Sequence, residues 1–333
     1  MAHESATTLT TKLSPETPTI SVIIPAFNAA EYIGEALDSV FAQTTAPHEV
    51  IVINDGSRDT EELEQVLKRY PASLHYIKQE NRGAAAARNA GLRAATGEFV
   101  AFLDGDDKWL PVFLEKQLKL LNRSKADLVY ADALLVGESP LADFTFMKLQ
   151  PSRGDVTAEK LLTVEVAILT STVLARKEPI FKVGLFDETL RRGHDFELWL
   201  RLAKLGIKFA YQREVLAHYR IVETGLSGGT ISQLERTLAV LEAIKSRSAL
   251  TPSEDAALKV TLKRTHHHLA LENGKQKLLE KDFDSALGFF NEAKKLRQNW
   301  KVVLVCWGLR IAPDILWRIY NRREMTPRGA ASS

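Results

Sequence analysis

The sequence predicts an α/β protein: a mostly parallel, doubly wound sheet followed by a helical C-terminal appendage. Three observations carry that prediction. Short β-branched or aromatic runs alternate with helical spacing from residue 20 to residue 131, as parallel strands alternate with their crossover helices. Two of the runs, at 50–53 and 99–103, lead into carboxylates, Asp55 after one intervening residue and Asp104 immediately. From Ile231 to Leu296 the chain becomes Leu-rich and charged at helical spacing.

Residues 20–24 are a β-branched run closed by Pro25, a first buried strand. Over 29–43 the apolar pairs Tyr32 and Ile33, Ala36 and Leu37, Val40 and Phe41 recur at helical spacing. The run VIVI at 50–53 is a second strand, and Asn54, Asp55, Gly56 and Ser57 after it are turn formers. A polar helix over 60–70 and a third strand over 74–78 follow. Residues 83–96 are Ala-rich and helical, stopped by Gly97. The fourth strand covers 99–103. Beyond it the pattern predicts an amphipathic helix over 109–122 and a strand over 127–131. Residues 132–156 carry few signals and read as a surface loop on the acceptor side. A strand over 170–174, a helix over 193–203 and a last sheet strand over 215–219 complete the α/β part.

The chemistry concentrates where FVAFL at 99–103 runs into Asp104, Asp106 and Asp107, interrupted only by Gly105. A buried strand of an open α/β sheet ends at the rim where ligands bind. Three carboxylates there repel one another unless a cation or hydrogen-bond donors hold them. Mg²⁺ takes one or two carboxylates together with substrate phosphates. An aspartate ahead of Lys108 and Trp109 also suits a helix N-cap, but a cap accounts for one carboxylate and not three. No GxGxxG follows the first strand; PAFN stands at 25–28 instead. A diphosphate would therefore be held through a cation rather than by a glycine turn.

The bulk numbers narrow the class. A net charge of +2 gives no mandate for nucleic acid, and the single cysteine, Cys306, excludes an internal disulfide framework or a cysteine metal cluster. Residues 1–18 read as a disordered lead-in rather than a secretory signal, and no stretch is long enough to span a bilayer. A cytoplasmic protein is the expectation.

Four segments, SVIIPAFN at 21–28, VINDGS at 52–57, NRGAAAARNAG at 81–91 and FLDGDD at 102–107, resemble the inverting family 2 glycosyltransferases in residue type, order and spacing. The resemblance covers residues 19–227, so residues 19–228 are expected to form the catalytic domain and 229–333 a helical region. It implies a fold of the nucleotide-diphospho-sugar transferase (GT-A) type with a mixed sheet at its centre. It implies transfer of a sugar from a UDP-, GDP- or dTDP-linked donor to a hydroxyl acceptor with inversion, in polysaccharide, glycan or glycolipid biosynthesis. In this resemblance Pro25, Ala26 and Phe27 line the nucleotide, with Phe27 beside the base, and Asp55 bonds the base. Gly83 and Arg88 belong to the segment along the donor; for Arg88 a structural ion pair is the alternative. Asp104 meets the ribose side, and Asp106 holds the Mg²⁺ or Mn²⁺ that bridges the diphosphate.

Inversion is a single in-line displacement, so one carboxylate must take the acceptor proton on the face opposite the leaving group. The family places this base second in an acidic pair, usually Glu-Asp, ahead of a helix such as FELWLR. Here the pair is His194 and Asp195, and Asp195 is the expected base. The bland alternative is an acid that suits the helix dipole, and Glu197 is the rival base. Tyr219 and Arg220 resemble the family's Tyr-Arg motif, with Val222 where a histidine often stands. His218 should point to the other side of its strand. GLSGG at 225–229 reads as a lid over the donor or a linker. Two rival functions are a nucleotidyltransferase, which would bring a basic glycine-rich loop after the first strand, and an inactive sugar-nucleotide-binding scaffold, which would have lost Asp106 or Asp195.

In the helical region, His266, His267 and His268 are consecutive, face different directions and read as solvated. Residues 273–296 resemble one tetratricopeptide-type helix pair, too few for a solenoid. Over 300–323 apolar residues alternate with Lys301, Arg310, Arg318, Arg322 and Arg323, with Arg328 beyond. That composition suits a helix lying on an anionic membrane, near a lipid-linked acceptor at the inner face of the cell membrane, or a helix packed on its predecessors.

Overall fold

A computed structural model describes residues 18–150, 152–221, 230–247 and 249–325. Of the positions singled out above, residues 1–17, Val222, the glycine-rich 225–229 and Arg328 lie outside the described residues. The first part alternates as the sequence predicts: β1 (Ile20–Ala26), α1 (Ile33–Phe41), β2 (Glu49–Asp55), α2 (Thr60–Leu67), β3 (Leu74–Gln79), α3 (Ala84–Ala94) and β4 (Phe99–Phe102). β1 lies between β2 and β4 and is parallel to both; β2 is parallel to β3. The chain thus builds outward from β1 to β3 and then returns to the other side of β1 for β4. That reversal opens a crevice at the carboxyl ends of β1 and β4, the place where open α/β sheets bind ligands.

Side-chain alternation buries both faces of these strands. Val22, Ile24, Val50 and Val52 face a core shared with Ile33 and Leu37 of α1. Ile23, Ile51 and Ile53 face a second core shared with Ala87 and Leu92 of α3. Helix α3 sits so close to the sheet that a Cβ at Gly91 would come 2.5 Å from Ile23 Cγ2 and 2.9 Å from Ile53 Cδ1.

Beyond β4 the alternation is broken by β5 (Lys108–Trp109), α4 (Phe113–Ser124), β6 (Leu128–Val136), α5 (Phe146–Leu149), α6 (Ala158–Leu162), a 3₁₀ turn (Thr170–Thr172), β7 (Leu174–Arg176), α7 (Lys177–Lys182), α8 (His194–Leu205) and β8 (Phe209–Arg220). The eight strands run β3-β2-β1-β4-β7-β6-β8-β5 in one sheet. Pairings β4–β7, β6–β7 and β5–β8 are antiparallel, while β6–β8 is parallel, so the sheet is mixed with a parallel majority. Helices α9 (Thr230–Arg247), α10 (Pro252–Leu279), α11 (Phe283–Leu296), α12 (Trp300–Ile311) and α13 (Pro313–Met325) follow. A capping box of Thr251 and Glu254 with Pro252 at the first turn starts α10. Thr261 Oγ1 then donates to the Leu162 carbonyl at 2.6 Å, and Leu258 and Leu262 pack with Leu162 and Leu200, tying the helices to the α/β part.

Four local expectations are corrected. Trp109 does not start a helix: Lys108 and Trp109 pair with His218 and Ala217 as a strand, and α4 begins only at Phe113, beyond Pro111. The strand expected over 170–174 is a 3₁₀ turn followed by β7, because Ser171 and Thr172 turn inward to hold polar partners. The stretch after 132 is not all loop: β6 continues to Val136 alongside β8, with a register irregularity at Asp132. His267 is buried rather than solvated, its Nδ1 2.9 Å from the Ala293 carbonyl, because α11 covers that side of α10.

Candidate active site

The crevice is lined first by the chain leaving β1. Pro25 and Ala26 end the strand, and Phe27 stands out of the surface, 51% exposed. Asn28 turns the chain with φ 51°, and its side-chain oxygen accepts from the Arg58 N–H at 2.9 Å. The neighbouring β2 ends in Asp55, which is buried. Its Oδ1 accepts from Gln79 Nε2 at 2.7 Å and from the Arg82 N–H at 2.9 Å; its Oδ2 accepts from the Gly83 N–H at 2.8 Å. Asp55 therefore shapes the loop that leads into α3, with Gly83 as the N-cap residue at φ 91°. A carboxylate offers about four acceptor positions, so roughly one remains for a ligand.

Asp104, Asp106 and Asp107 follow β4, and the structure gives each a different environment. Gly105 lets their loop lie against the β1 end: a Cβ there would meet the Pro25 carbonyl oxygen at 3.2 Å. Asp107 is buried and braces the loop. Its Oδ2 accepts from Ser171 Oγ at 2.5 Å and its Oδ1 from the Arg220 N–H at 2.8 Å. Burial, then the charges of Asp104 and Asp106, push its carboxyl well above the ordinary range. Asp104 is half-buried and pairs with the Arg88 guanidinium, while its N–H donates to Ser171 Oγ at 3.2 Å. Asp106 is half-buried; burial and then the neighbouring Asp104 raise its carboxyl to about 6. Arg220 crosses behind it: Nε donates to the Asp106 carbonyl at 3.0 Å and Nη2 to Glu35 at 3.0 Å, with the guanidinium over the Tyr32 ring. None of the three aspartates is a helix cap.

The other wall is the start of α8. Asp195 Oδ1 accepts from the Phe196 N–H at 2.8 Å, and Oδ2 accepts from Thr170 Oγ1 at 3.2 Å. Thr170 and Ser171 are adjacent in the 3₁₀ turn, so one turn holds Asp195 on one side and the β4 loop on the other. A second link runs through His194, whose Nε2 is 2.7 Å from Arg88 Nη1. A guanidinium only donates, so Nε2 accepts and His194 is neutral with its proton on Nδ1. Burial, then the Arg88 charge, keep His194 below its usual range. Arg88, expected along the donor, thus spends its terminal nitrogens on Asp104 and His194, and its influence on a ligand runs through Asp104. The phenol of Tyr219 is raised by burial and then by Asp107, Asp104, Asp106 and Asp195, a sign that these carboxylates surround one spot.

His194→Phe should leave the buried Arg88 Nη1 without an acceptor and cost about 1–3 kcal/mol of stability. His194→Gln, which keeps an acceptor, should recover most of it. Urea denaturation of the two variants checks this; a phenylalanine variant as stable as the parent would refute the acceptor assignment.

Among the described residues no three His, Cys, Asp or Glu side chains are arranged to hold a metal ion unaided. The donor set nevertheless fits a hard cation shared with a ligand. Asp106 is crowded by Asp104, and the nearby guanidiniums of Arg220, on the Asp106 carbonyl, and Arg88, on Asp104, only partly offset the two charges; Mg²⁺-like ions are commonly held by one or two carboxylates plus phosphates. Glu197, the rival base, is engaged by the Arg201 guanidinium at 2.6 and 2.7 Å along α8. His218 lies opposite Lys108 in the β8–β5 pairing, while its neighbour Tyr219 feels the carboxylates. A cavity of about 400 Å³ between α8 and α9 includes none of these carboxylates except Glu197, and its cations Arg201, Lys204 and Arg247 are each paired.

The profile described as Glycosyl transferase family 2 matches residues 21–176. The amylovoran biosynthesis glycosyltransferase AmsB of Erwinia amylovora is 32% identical over 238 residues, 68% of this chain and 77% of AmsB. The chain belongs to glycosyl transferase family 2. As a member of that family it is an enzyme that transfers sugar from a nucleotide-sugar donor. Two solved structures share its fold at low identity. S. aureus TarS 1-349 in complex with UDP-GlcNAc aligns over 93% of both chains at TM-score 0.60 and 20% identity. The mannosyltransferase PcManGT of Pyrobaculum calidifontis, in complex with GDP-Man and Mn²⁺, covers 93% of this chain and 88% of its own at TM-score 0.59 and 19% identity.

For a family 2 glycosyltransferase, the described site contains members no motif announces. Thr170, Ser171, Gln79 and Glu35 each bond a candidate residue or its brace. Their partners lie 25, 64, 24 and 185 residues away in sequence. Isolated polar residues at such separations leave no local signal.

Proposed function

We propose that this glycosyltransferase moves a sugar from a UDP-, GDP- or dTDP-linked donor to a hydroxyl acceptor in one displacement with inversion. Asp195 acts as general base and Asp106 is the protein ligand of Mg²⁺ or Mn²⁺. Residues 19–228 carry the transfer, and residues 229–333 form a helical region attached to it. The observation that carries the reading is the shared frame of the two walls: Thr170 bonds Asp195, while the adjacent Ser171 bonds the aspartate loop.

Phe27 offers an exposed ring face to the nucleobase, and Asp55 keeps an acceptor position near it. Pro25 and Ala26, with Gly83 across the crevice, supply close backbone approach. Asp104, with Oδ1 taken by Arg88, presents Oδ2 to a ribose hydroxyl. Asp106 meets the diphosphate side, where a bound divalent cation supplies positive charge against the leaving group. Asp195 takes the proton of the acceptor hydroxyl as its oxygen bonds the anomeric carbon and the bond to the diphosphate oxygen breaks. The likeness to AmsB, an amylovoran biosynthesis glycosyltransferase, favours a growing polysaccharide as acceptor.

A donor panel tests this reading. One nucleotide sugar should raise the thermal midpoint only with Mg²⁺ or Mn²⁺ present, and proton NMR of the first product should show the anomeric configuration opposite to the donor's. A product that keeps the donor's configuration would overturn inversion and Asp195 as its base.

A further inference from the structure

Helix α12 buries one stripe and exposes another. Val302, Cys306 and Leu309 pack against Phe290 and Ala293 of α11. On the opposite side Trp300, Leu304, Trp307 and Ile311 recur at intervals of four, three and four residues and are 68%, 59%, 62% and 70% exposed. On α13, Ile315 and Ile319, one turn apart, are also more than half exposed. Scattered exposed apolar residues are ordinary; a four-residue stripe along α12, followed by two more exposed isoleucines one turn apart on α13, marks a surface that meets something apolar.

From these residues we infer that the α12–α13 face seats in the interface of an anionic lipid bilayer. Charge complementarity selects the lipid surface over a protein partner. Between residues 300 and 322 the sequence places four cations, Lys301, Arg310, Arg318 and Arg322, against one acid, Asp314. Lys301, Arg310 and Arg318 are exposed beside the apolar stripe, with the Lys301 ammonium over the Trp300 ring. Indoles flanked by cations are the pattern of a helix lying at the level of lipid headgroups. The face lies on the surface rather than spanning: no helix among the described residues is long and apolar enough to cross a membrane. A 12-residue helix reaches about 18 Å, well short of the ~30 Å hydrocarbon core. The proposal is independent of Asp106 and Asp195, so loss of either assignment leaves it standing.

The full chain is spun with vesicles of phosphatidylglycerol and phosphatidylcholine in equal parts, and with vesicles of phosphatidylcholine alone. It should pellet with the first, far less with the second, and should be released by high salt. Leu304→Asp combined with Trp307→Asp, both at exposed positions, should keep the thermal midpoint and weaken vesicle binding by roughly tenfold or more. Replacing Lys301, Arg310 and Arg318 together by glutamine should weaken it by about fivefold per cation. Failure of the unchanged chain to pellet with anionic vesicles, or binding untouched by both sets of substitutions, overturns the proposal. So does a dimer in light scattering that the Leu304 and Trp307 substitutions convert to monomer, which would make the face a contact between copies of this chain.

Discussion

Asp195→Asn is expected to leave donor affinity within about twofold of the parent and to lower turnover by roughly a hundredfold to ten-thousandfold, the contribution of a positioned general base. The substitution is nearly isosteric. An asparagine carbonyl can still accept from the Phe196 N–H, the bond that Asp195 Oδ1 makes at 2.8 Å. What it cannot do is accept a proton from the acceptor hydroxyl. The base contacts the acceptor and not the nucleotide, so donor binding should survive. Calorimetry with the nucleotide sugar and initial rates of transfer separate the two quantities. Near-normal turnover by the asparagine variant would remove Asp195 from the reaction. It would not promote Glu197 directly, because Arg201 already holds both of that carboxylate's oxygens.

Asp106→Asn should act on binding instead. Donor affinity in the presence of Mg²⁺ or Mn²⁺ is expected to fall by about a hundredfold or more, while the much weaker binding expected in EDTA stays unchanged. Protein stability should move the opposite way. In the cation-free protein the Asp106 carboxyl is raised to about 6 by burial and by Asp104. A carboxyl raised on folding destabilises its ionised form, so its contribution to stability falls as pH rises from the ordinary aspartate range through about 6. Asparagine removes that cost, and the variant should melt at or above the parent temperature at neutral pH. A loss of binding joined to a gain or no change in stability cannot be explained by misfolding. Equal donor affinity with and without EDTA in the parent protein would show that Asp106 holds no cation.

The motifs were legible because each is local. Strand, turn and helix at 20–28, 50–57, 81–94 and 99–107 follow from runs of neighbours, and the family resemblance rests on those same runs. The errors fell where a distant partner overrides local preference. Trp109 looked helical beside Leu110, but β8 recruits it as a strand, and its indole donates to the Ser171 carbonyl at 2.6 Å. His267 looked solvated in a charged helix until α11 packed over it.

By itself the sequence determined the α/β alternation, the position of the carboxylates at strand ends, the helical C-terminal region and the family. All of these depend on spacing along the chain: period two or 3.6 for burial, and a turn wherever a strand meets Gly, Asn or Asp. The tertiary structure alone decided the division of labour among the aspartates. Asp107 became a buried brace, Asp104 the partner of Arg88, and Asp106 the carboxylate with no cationic side chain bonded to it in the described contacts. It also made His194 the neutral acceptor that ties Arg88 to the start of α8, and brought Thr170 against Asp195. Three aspartates within four positions are chemically identical on paper. They diverge only when folding buries one, pairs another and leaves the third half-buried beside its neighbours' charges, because the energy of a carboxylate depends on its solvation and its neighbours' charges.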